Sequence, residues 1–398
     1  MIDIKLLESV DKTSYRIFED LIKIRRDLHQ IPELGSDLPK TREYILKELR
    51  MLDVEINESV GENGIVATLY GGHKGQTIAY RADMDALPLK EENSFDFASK
   101  HEGRMHACGH DGHVTIALGI LKILAEIKND IKGNIKFIFQ PAEETTGGAL
   151  QMINDGALKN PDVDYILGCH IWPSLESGKI GIRKGPIMAG TDIVDITIEG
   201  KGGHGAIPHK SINPIVVGSK IITEVEGIKN YFVPSSQNSV ISFGSFNAGE
   251  TNNVIPHSAR LLGSVRTFSK ETQAIYISKL TDIIKSVETI YGAKCVLKYI
   301  KNYPPTINDE QVVDKIENTL IEYGLQDKIF HIDEPSMGAE DFSYFLQNIP
   351  GAYMFIGSRN AEKGIMQEIH HPNYDMDEAI FETIPAILSK TLLEFLVF

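Results

Sequence analysis

The chain has 398 residues, 42% of them hydrophobic and 24% charged, the balance of a soluble globular protein too long for one ordinary core. A formal net charge of −15 argues against a nucleic-acid partner, which would call for a basic face. Three cysteines are too few for a disulfide framework, and no apolar run is long enough to span a bilayer. The opening Met1-Ile2-Asp3-Ile4-Lys5 lacks the apolar core of a signal peptide, so a cytoplasmic protein with no membrane partner is expected.

In chain order, apolar spacing predicts a helix over 14–30 and a second near 40–52. Strands follow at 65–70 and 77–81, then a central helix over 111–128. A strand at 135–139 is stopped by Pro141; a short helix at about 145–154 and a strand at 165–169 come next. This alternation predicts an α/β fold with a mostly parallel sheet flanked by helices. The pattern then changes. Strands at 192–199, 238–246, 258–268 and 294–299, with helices at 213–228 and 270–291, give the order β-α-β-β-α-β. That is a ferredoxin-like split βαβ unit, an α+β domain over 188–302 inserted into a first domain of 1–187 and 303–398. The first domain resumes with helices near 309–323 and from about 339, a strand at 351–357, and a final helix after Asp377.

The stretch Met105-His106-Ala107-Cys108-Gly109-His110-Asp111-Gly112-His113 concentrates histidines, a cysteine and an aspartate just ahead of the central helix. It reads as a turn into a helix N-terminus, with Asp111 as the cap and Cys108 favoured as a thiolate by the helix dipole. Thiolate and imidazole one residue apart are good ligands for a divalent transition metal. In open α/β sheets ligands bind beyond the carboxyl ends of the strands, and three strands here end in ligand-type residues. These are Asp83 and Asp85, then Glu143 and Glu144, then His170. Adjacent carboxylates suit a metal site, where one binds the cation and the other takes a proton. His370-His371 offers a distant further ligand, and His204, within Gly202-Gly203-His204-Gly205, a donor from the inserted domain.

Seven segments together carry a resemblance that runs nearly end to end. They are Arg26-Asp27-Leu28-His29-Gln30-Ile31-Pro32-Glu33-Leu34, Arg81-Ala82-Asp83-Met84-Asp85-Ala86-Leu87-Pro88, His106-Ala107-Cys108-Gly109-His110-Asp111, Gln140-Pro141-Ala142-Glu143-Glu144, Gly203-His204-Gly205-Ala206, Asn252-Asn253-Val254-Ile255-Pro256 and Gly338-Ala339-Glu340-Asp341-Phe342. The chain resembles the aminoacylase-type dinuclear metallopeptidases, in the branch of hippurate hydrolases, N-acyl-L-amino-acid amidohydrolases and plant auxin-conjugate hydrolases. The resemblance implies a zinc-peptidase-like catalytic domain with an inserted lid that also dimerises. It implies Cys108, His110, Glu144, His170 and His370 as ligands of two divalent metal ions, and Glu143 as general base. The family spacing selects His370 over His371, and puts His204 near the substrate carbonyl, often reaching the site of a dimer partner.

The function expected is hydrolysis of the amide bond of an N-acyl-L-amino acid. A water activated between two cations gives its proton to Glu143, His204 steadies the oxyanion, and Asp83 orients a ligand or balances charge. Asn253 and Arg266 are the candidates to hold the free carboxylate, brought over the metals by domain closure. Zinc suits the Cys/His/Glu set, with manganese, cobalt or nickel as replacements. A homodimer through the inserted domain is expected. The alternatives are a metallo-dipeptidase or carboxypeptidase of the same family, a hydrolase with Cys108 as nucleophile, and a metal-dependent binding protein.

Overall fold

Helix α1 (Ile4–His29) begins ten residues ahead of the expected start, because Asp3 caps it by accepting the N–H of Lys5 at 3.0 Å. Its buried stripe of Val10, Ile17, Leu21, Ile24 and Leu28 recurs every three to four residues, bar one skipped turn, and faces the core. In the computed structural model, which describes residues 2–396, α2 (Pro39–Leu49) follows. Leu38 offers α2 no side-chain cap, so the Glu33 carboxylate takes the N–H groups of Lys40 and Thr41, at 3.0 and 2.9 Å.

The chain then runs through β1 (Glu55–Val60), β2 (Gly64–Tyr70), β3 (His73–Asp83), α3 (His110–Glu126), β4 (Lys132–Gln140), α4 (Ala149–Asn154), β5 (Tyr165–Glu176) and β6 (Ile180–Ile182). After the second unit come α7 (Glu310–Glu322), β11 (Ile329–His331), α8 (Ser343–Leu346), β12 (Gly351–Arg359) and α9 (Ile380–Phe395). These eight strands form one sheet in the order β1-β2-β4-β3-β5-β12-β6-β11. Its centre, β4-β3-β5-β12, is parallel, while β1, β2 and β6 pair antiparallel to their inner neighbours. A sheet covered on a face by helices needs apolar residues there: Ile135, Phe137 and Phe139 of β4 share one core with α1, α3 and α9. Helix α3 is buried almost all round, which explains why its sequence is apolar on every face. The expected helix from residue 339 shrinks to the single turn of α8.

The second unit contains β7 (Gly190–Glu199), α5 (Pro214–Phe232), β8 (Ser239–Ala248), β9 (Ser258–Thr267), α6 (Lys270–Tyr291) and β10 (Lys294–Lys301). Its sheet is wholly antiparallel, in the order β8-β9-β7-β10, as the ferredoxin-like reading requires. Ile196, Ile198, Val217, Ile221, Leu261 and Leu280 bind sheet and helices into a core of their own. This unit spans Met188–Thr306 and takes in Pro335–Glu340; the first holds the chain up to Ile187, Ile307–Glu334 and the part from Asp341 onward. Residues 303–306 and 335–340 therefore part from the expected boundary at 302. Backbone bonds hold them to the second unit: Thr191 N–H to Tyr303 O and Ala189 N–H to Ser336 O, both at 2.9 Å. No helix among the described residues is long and apolar enough to cross a membrane.

Candidate metal centre

Helix α3 starts from Gly109, whose φ of 87° is open to glycine and strained for other residues; a Cβ there would stand 2.7 Å from the Tyr374 hydroxyl. Asp111 is thus not the cap that the sequence suggested. Its carboxylate turns inward, where Oδ2 accepts Arg25 Nε at 3.0 Å and contacts His29 Nδ1 at 2.8 Å. The tight turn brings Cys108 and His110 to one side, where each has a ligand atom within 4.8 Å of one from His170.

Strand β3 delivers a buried chain of charge. Arg81 donates to Gln140 Oε1, Asp83 Oδ2 and Asp341 Oδ1 at 2.8, 2.6 and 2.8 Å. The other oxygen of Asp83 lies 2.6 Å from His113 Nδ1, and His113 Nε2 accepts the N–H of Ile171 at 2.8 Å. These bonds fix the ring with its proton on Nδ1 and occupy both nitrogens, so His113 orients the site and has no lone pair left for a cation. Against the cost of burial, His110, Arg81 and His113 hold the Asp83 carboxyl well below its usual range. Asp85, two residues on, accepts the N–H groups of Glu143 and Glu144 and stands 3.5 Å from His110 Nδ1.

Five candidate donors converge beyond these strand ends. Cys108 Sγ lies 3.3 Å from both His170 Nε2 and His370 Nε2. Glu144 Oε1 is 3.3 Å from His370 Nε2 and 3.9 Å from His110 Nε2. His170 Nδ1 lies 2.7 Å from the carbonyl of Ile171, a bond that leaves Nε2 as the acceptor facing the cluster. Glu143 joins through a carboxylate oxygen within 4.8 Å of ligand atoms of His110 and Glu144. Burial, with Glu144 and Glu143 adding to it, pushes the Cys108 thiol well up, overriding the helix dipole that was expected to lower it. Burial alone would lower His110, but Asp83, Asp85 and Glu144 push it up to about 10.

The remaining sequence candidates lie in the second unit. His204 pairs with Val254 across a short antiparallel ladder between segments some fifty residues apart, its exposed ring accepting the Ala206 N–H at 3.1 Å, and the adjacent Gly205 N–H donates to Asn253 O at 2.8 Å. Arg266 is half-buried near the far end of β9, roughly 26 Å beyond Ser258 at about 3.3 Å per residue. One chain therefore does not bring Arg266 together with His204 and Asn253. His371 is a turn residue whose Nδ1 accepts the N–H of Asn373. Asp85 has no task legible in the sequence, because its partners Glu143 and Glu144 lie 58 and 59 residues away.

The donors fit a pair of divalent cations. Both ring nitrogens of His110 and Glu144 Oε1 are buried without a hydrogen-bond partner, a costly arrangement for groups that have nothing to bind. One thiol, three imidazoles and a carboxylate are a borderline-soft set that suits a first-row transition metal. The model of "Peptidase family M20/M25/M40" matches residues 79–394. Thermostable carboxypeptidase 1 of Saccharolobus solfataricus is 39% identical over 376 residues, 93% of this chain and 94% of that protein. The N-acetyl-L-cysteine deacetylase of Bacillus subtilis is 36% identical over 361 residues, 90% and 84% of the two chains. The crystal structure of Bacillus subtilis YXEP, described as a dinuclear metal binding peptidase, superposes with a TM-score of 0.84 at 33% identity, covering 96% of this chain and 99% of that one. The chain belongs to peptidase family M20/M25/M40 and is a metal-dependent hydrolase of amide bonds.

Proposed function

We infer that the protein hydrolyses the amide bond of N-acyl-L-amino acids, with Cys108, His110, Glu144, His170 and His370 as the ligands of two divalent metal ions. The observation that carries this reading is the convergence of these five side chains, with Glu143 beside them, beyond the carboxyl ends of β3, β4 and β5. Zinc suits the set, and manganese, cobalt or nickel can replace it. When bound, the cations supply Lewis acidity, acidifying a water and polarising the amide carbonyl.

Glu143 takes the water's proton and hands it to the leaving nitrogen, which departs as an amine only once protonated. Its position is set from behind by the bond between its N–H and Asp85. Asp83, between Arg81 and His113, keeps negative charge next to His110 without leaving its place in the sheet. His204 donates to the oxyanion, and Asn253 and Arg266 hold the carboxylate of the leaving amino acid. The distance along β9 between the His204–Val254 ladder and Arg266 favours a homodimer in which different copies contribute them to one substrate.

A Glu143→Gln variant tests the assignment. It should keep its metal and lose about 10²–10⁴-fold in turnover on N-acetyl, N-benzoyl or N-indoleacetyl amino acids. Normal turnover removes Glu143 from the role. The likeness to a carboxypeptidase supports a second reading, cleavage of peptides, and the same panel run beside dipeptides separates the two.

A further inference from the structure

The Arg25 guanidinium is completely buried and spends each of its three nitrogens on a different acid. Nε donates to Asp111 at 3.0 Å, Nη2 to Asp375 at 2.9 Å and Nη1 to Glu378 at 3.2 Å, with the Phe97 ring 5.0 Å from its carbon. His29, one turn further along α1, also holds Asp111 and reaches Glu91 at 3.2 Å. Asp111 adjoins His110 and follows Cys108 by three residues. Asp375 and Glu378 belong to the stretch that follows His370, and His370 itself is fastened by its N–H to Ala107 O at 2.7 Å with φ at +64°. Arg25 therefore adds a second tie, beside the His370–Ala107 bond, between the turn bearing Cys108 and His110 and the segment bearing His370, two pieces of chain some 260 residues apart in sequence.

We propose that Arg25 is a positioning residue that sets the separation of Cys108 and His370, and with it the affinity of the cation position that those two side chains share with Glu144. The proposal rests on the ligand reading given above. A guanidinium is needed because only its planar fork of donors can hold three carboxylates along fixed directions. A lysine keeps the charge but concentrates it at one atom, which can satisfy Asp111 or the Asp375–Glu378 pair and not both. The Arg25 network would then act on the metal through the backbone of the two ligand segments, without touching it.

The test uses the full-length protein stripped of metal and titrated with Co²⁺. The thiolate-to-cobalt absorption band reports Cys108 ligation, and the fluorescence of Trp172, whose ring lies 5.5 Å from that of His170, reports filling of the centre. Arg25→Lys should keep its far-ultraviolet circular dichroism while the Co²⁺ dissociation constant read from the thiolate band rises about 10–100-fold. A purely structural role would lower the Tm and leave the band and the affinity as in the parent. A folded Arg25→Lys protein with parental affinity overturns the proposal. Should that variant fail to fold, Asp375→Asn/Glu378→Gln decides, since both acids are partly exposed and their loss frees one end of the fork. Weaker Co²⁺ binding is expected there too, and unchanged binding overturns the proposal. Absence of a thiolate band in the parent protein instead sinks the ligand reading, and this inference with it.

Discussion

Asp85 accepts the backbone N–H of Glu143 on one carboxylate oxygen at 3.0 Å, and that of Glu144 on the other at 3.1 Å. One buried side chain thus sets the position of both consecutive glutamates. Asp85→Asn replaces an acceptor by a donor that faces an N–H, so one of the two bonds is lost. Turnover should fall by about 10–100-fold, with metal content reduced as well, because Glu144 shifts along with Glu143. Parental kcat and two metals per chain in the variant would show that the glutamates hold their places without Asp85.

Ala142, the residue before Glu143, has a φ of +61°, a region that costs a side-chain-bearing residue about 1–2 kcal/mol. It is kept there by its N–H bond to Gly35 O at 3.0 Å and by the Gly147 N–H on its own carbonyl at 2.9 Å. Ala142→Gly relieves the strain and gives part of it back as freedom of the unfolded chain, about 0.4–1 kcal/mol. The expected result is a slightly higher Tm with a severalfold lower kcat, measured by calorimetry and by single-substrate kinetics. A lower Tm would contradict the strain argument.

Lys136 is buried on β4, and its ammonium donates to the carbonyls of Ala157 and Lys159. Burial pushes it down from 10.5 to about 8, against the pull of Asp162 and Glu55. Between these two values the unfolded chain binds the proton and the folded chain releases it, so stability rises with pH across that window. The cost is present in full below pH 8 and is gone above 10.5. Lys136→Met should therefore raise the Tm at pH 7, by a margin that shrinks towards pH 10.5. Thermal melts of both proteins over that range check the slope. A margin that grows with pH would reverse the assignment.

Chelation should lower the Tm, since a ligand held at about 100 times its Kd stabilises the folded state by roughly 2.7 kcal/mol. The chain has one tryptophan, Trp172, stacked on Phe355 at 4.1 Å and edge-on to His170. Refilling the stripped protein with Co²⁺ should quench its fluorescence and saturate at two ions per chain. Saturation at one ion, or quenching that is insensitive to His170→Ala, would count against the two-cation centre.

What could be read from the sequence follows the range of each interaction. The Cys108–His113 stretch and the paired glutamates betray their chemistry locally, through residue type and spacing, and the strand-end rule then drew in His170. Strand β1 leaves no mark in the sequence because an edge strand with polar, exposed faces has no apolar alternation. The start of α1 is hidden in the sequence because Ile4 is exposed and charged residues blur the stripe there. Asp111 misleads for a different reason. Residue type and position both said cap, while its real partners, Arg25 and His29, stand 86 and 82 residues earlier. Glu33 shows the converse, a helix capped by a carboxylate outside the usual capping position.

The five candidate ligands are scattered from residue 108 to residue 370, and this has a bearing on how the protein is made. A ribosome delivers Cys108, His110, Glu144 and His170 long before His370, so a nascent chain holds an incomplete set of four donors, open to any passing ion, through about half of its synthesis. Tight loading must wait until the last segment has threaded back onto the sheet. Metal uptake would thus mark the end of folding, and a chain cut anywhere before residue 370 would emerge with its cradle at least one donor short.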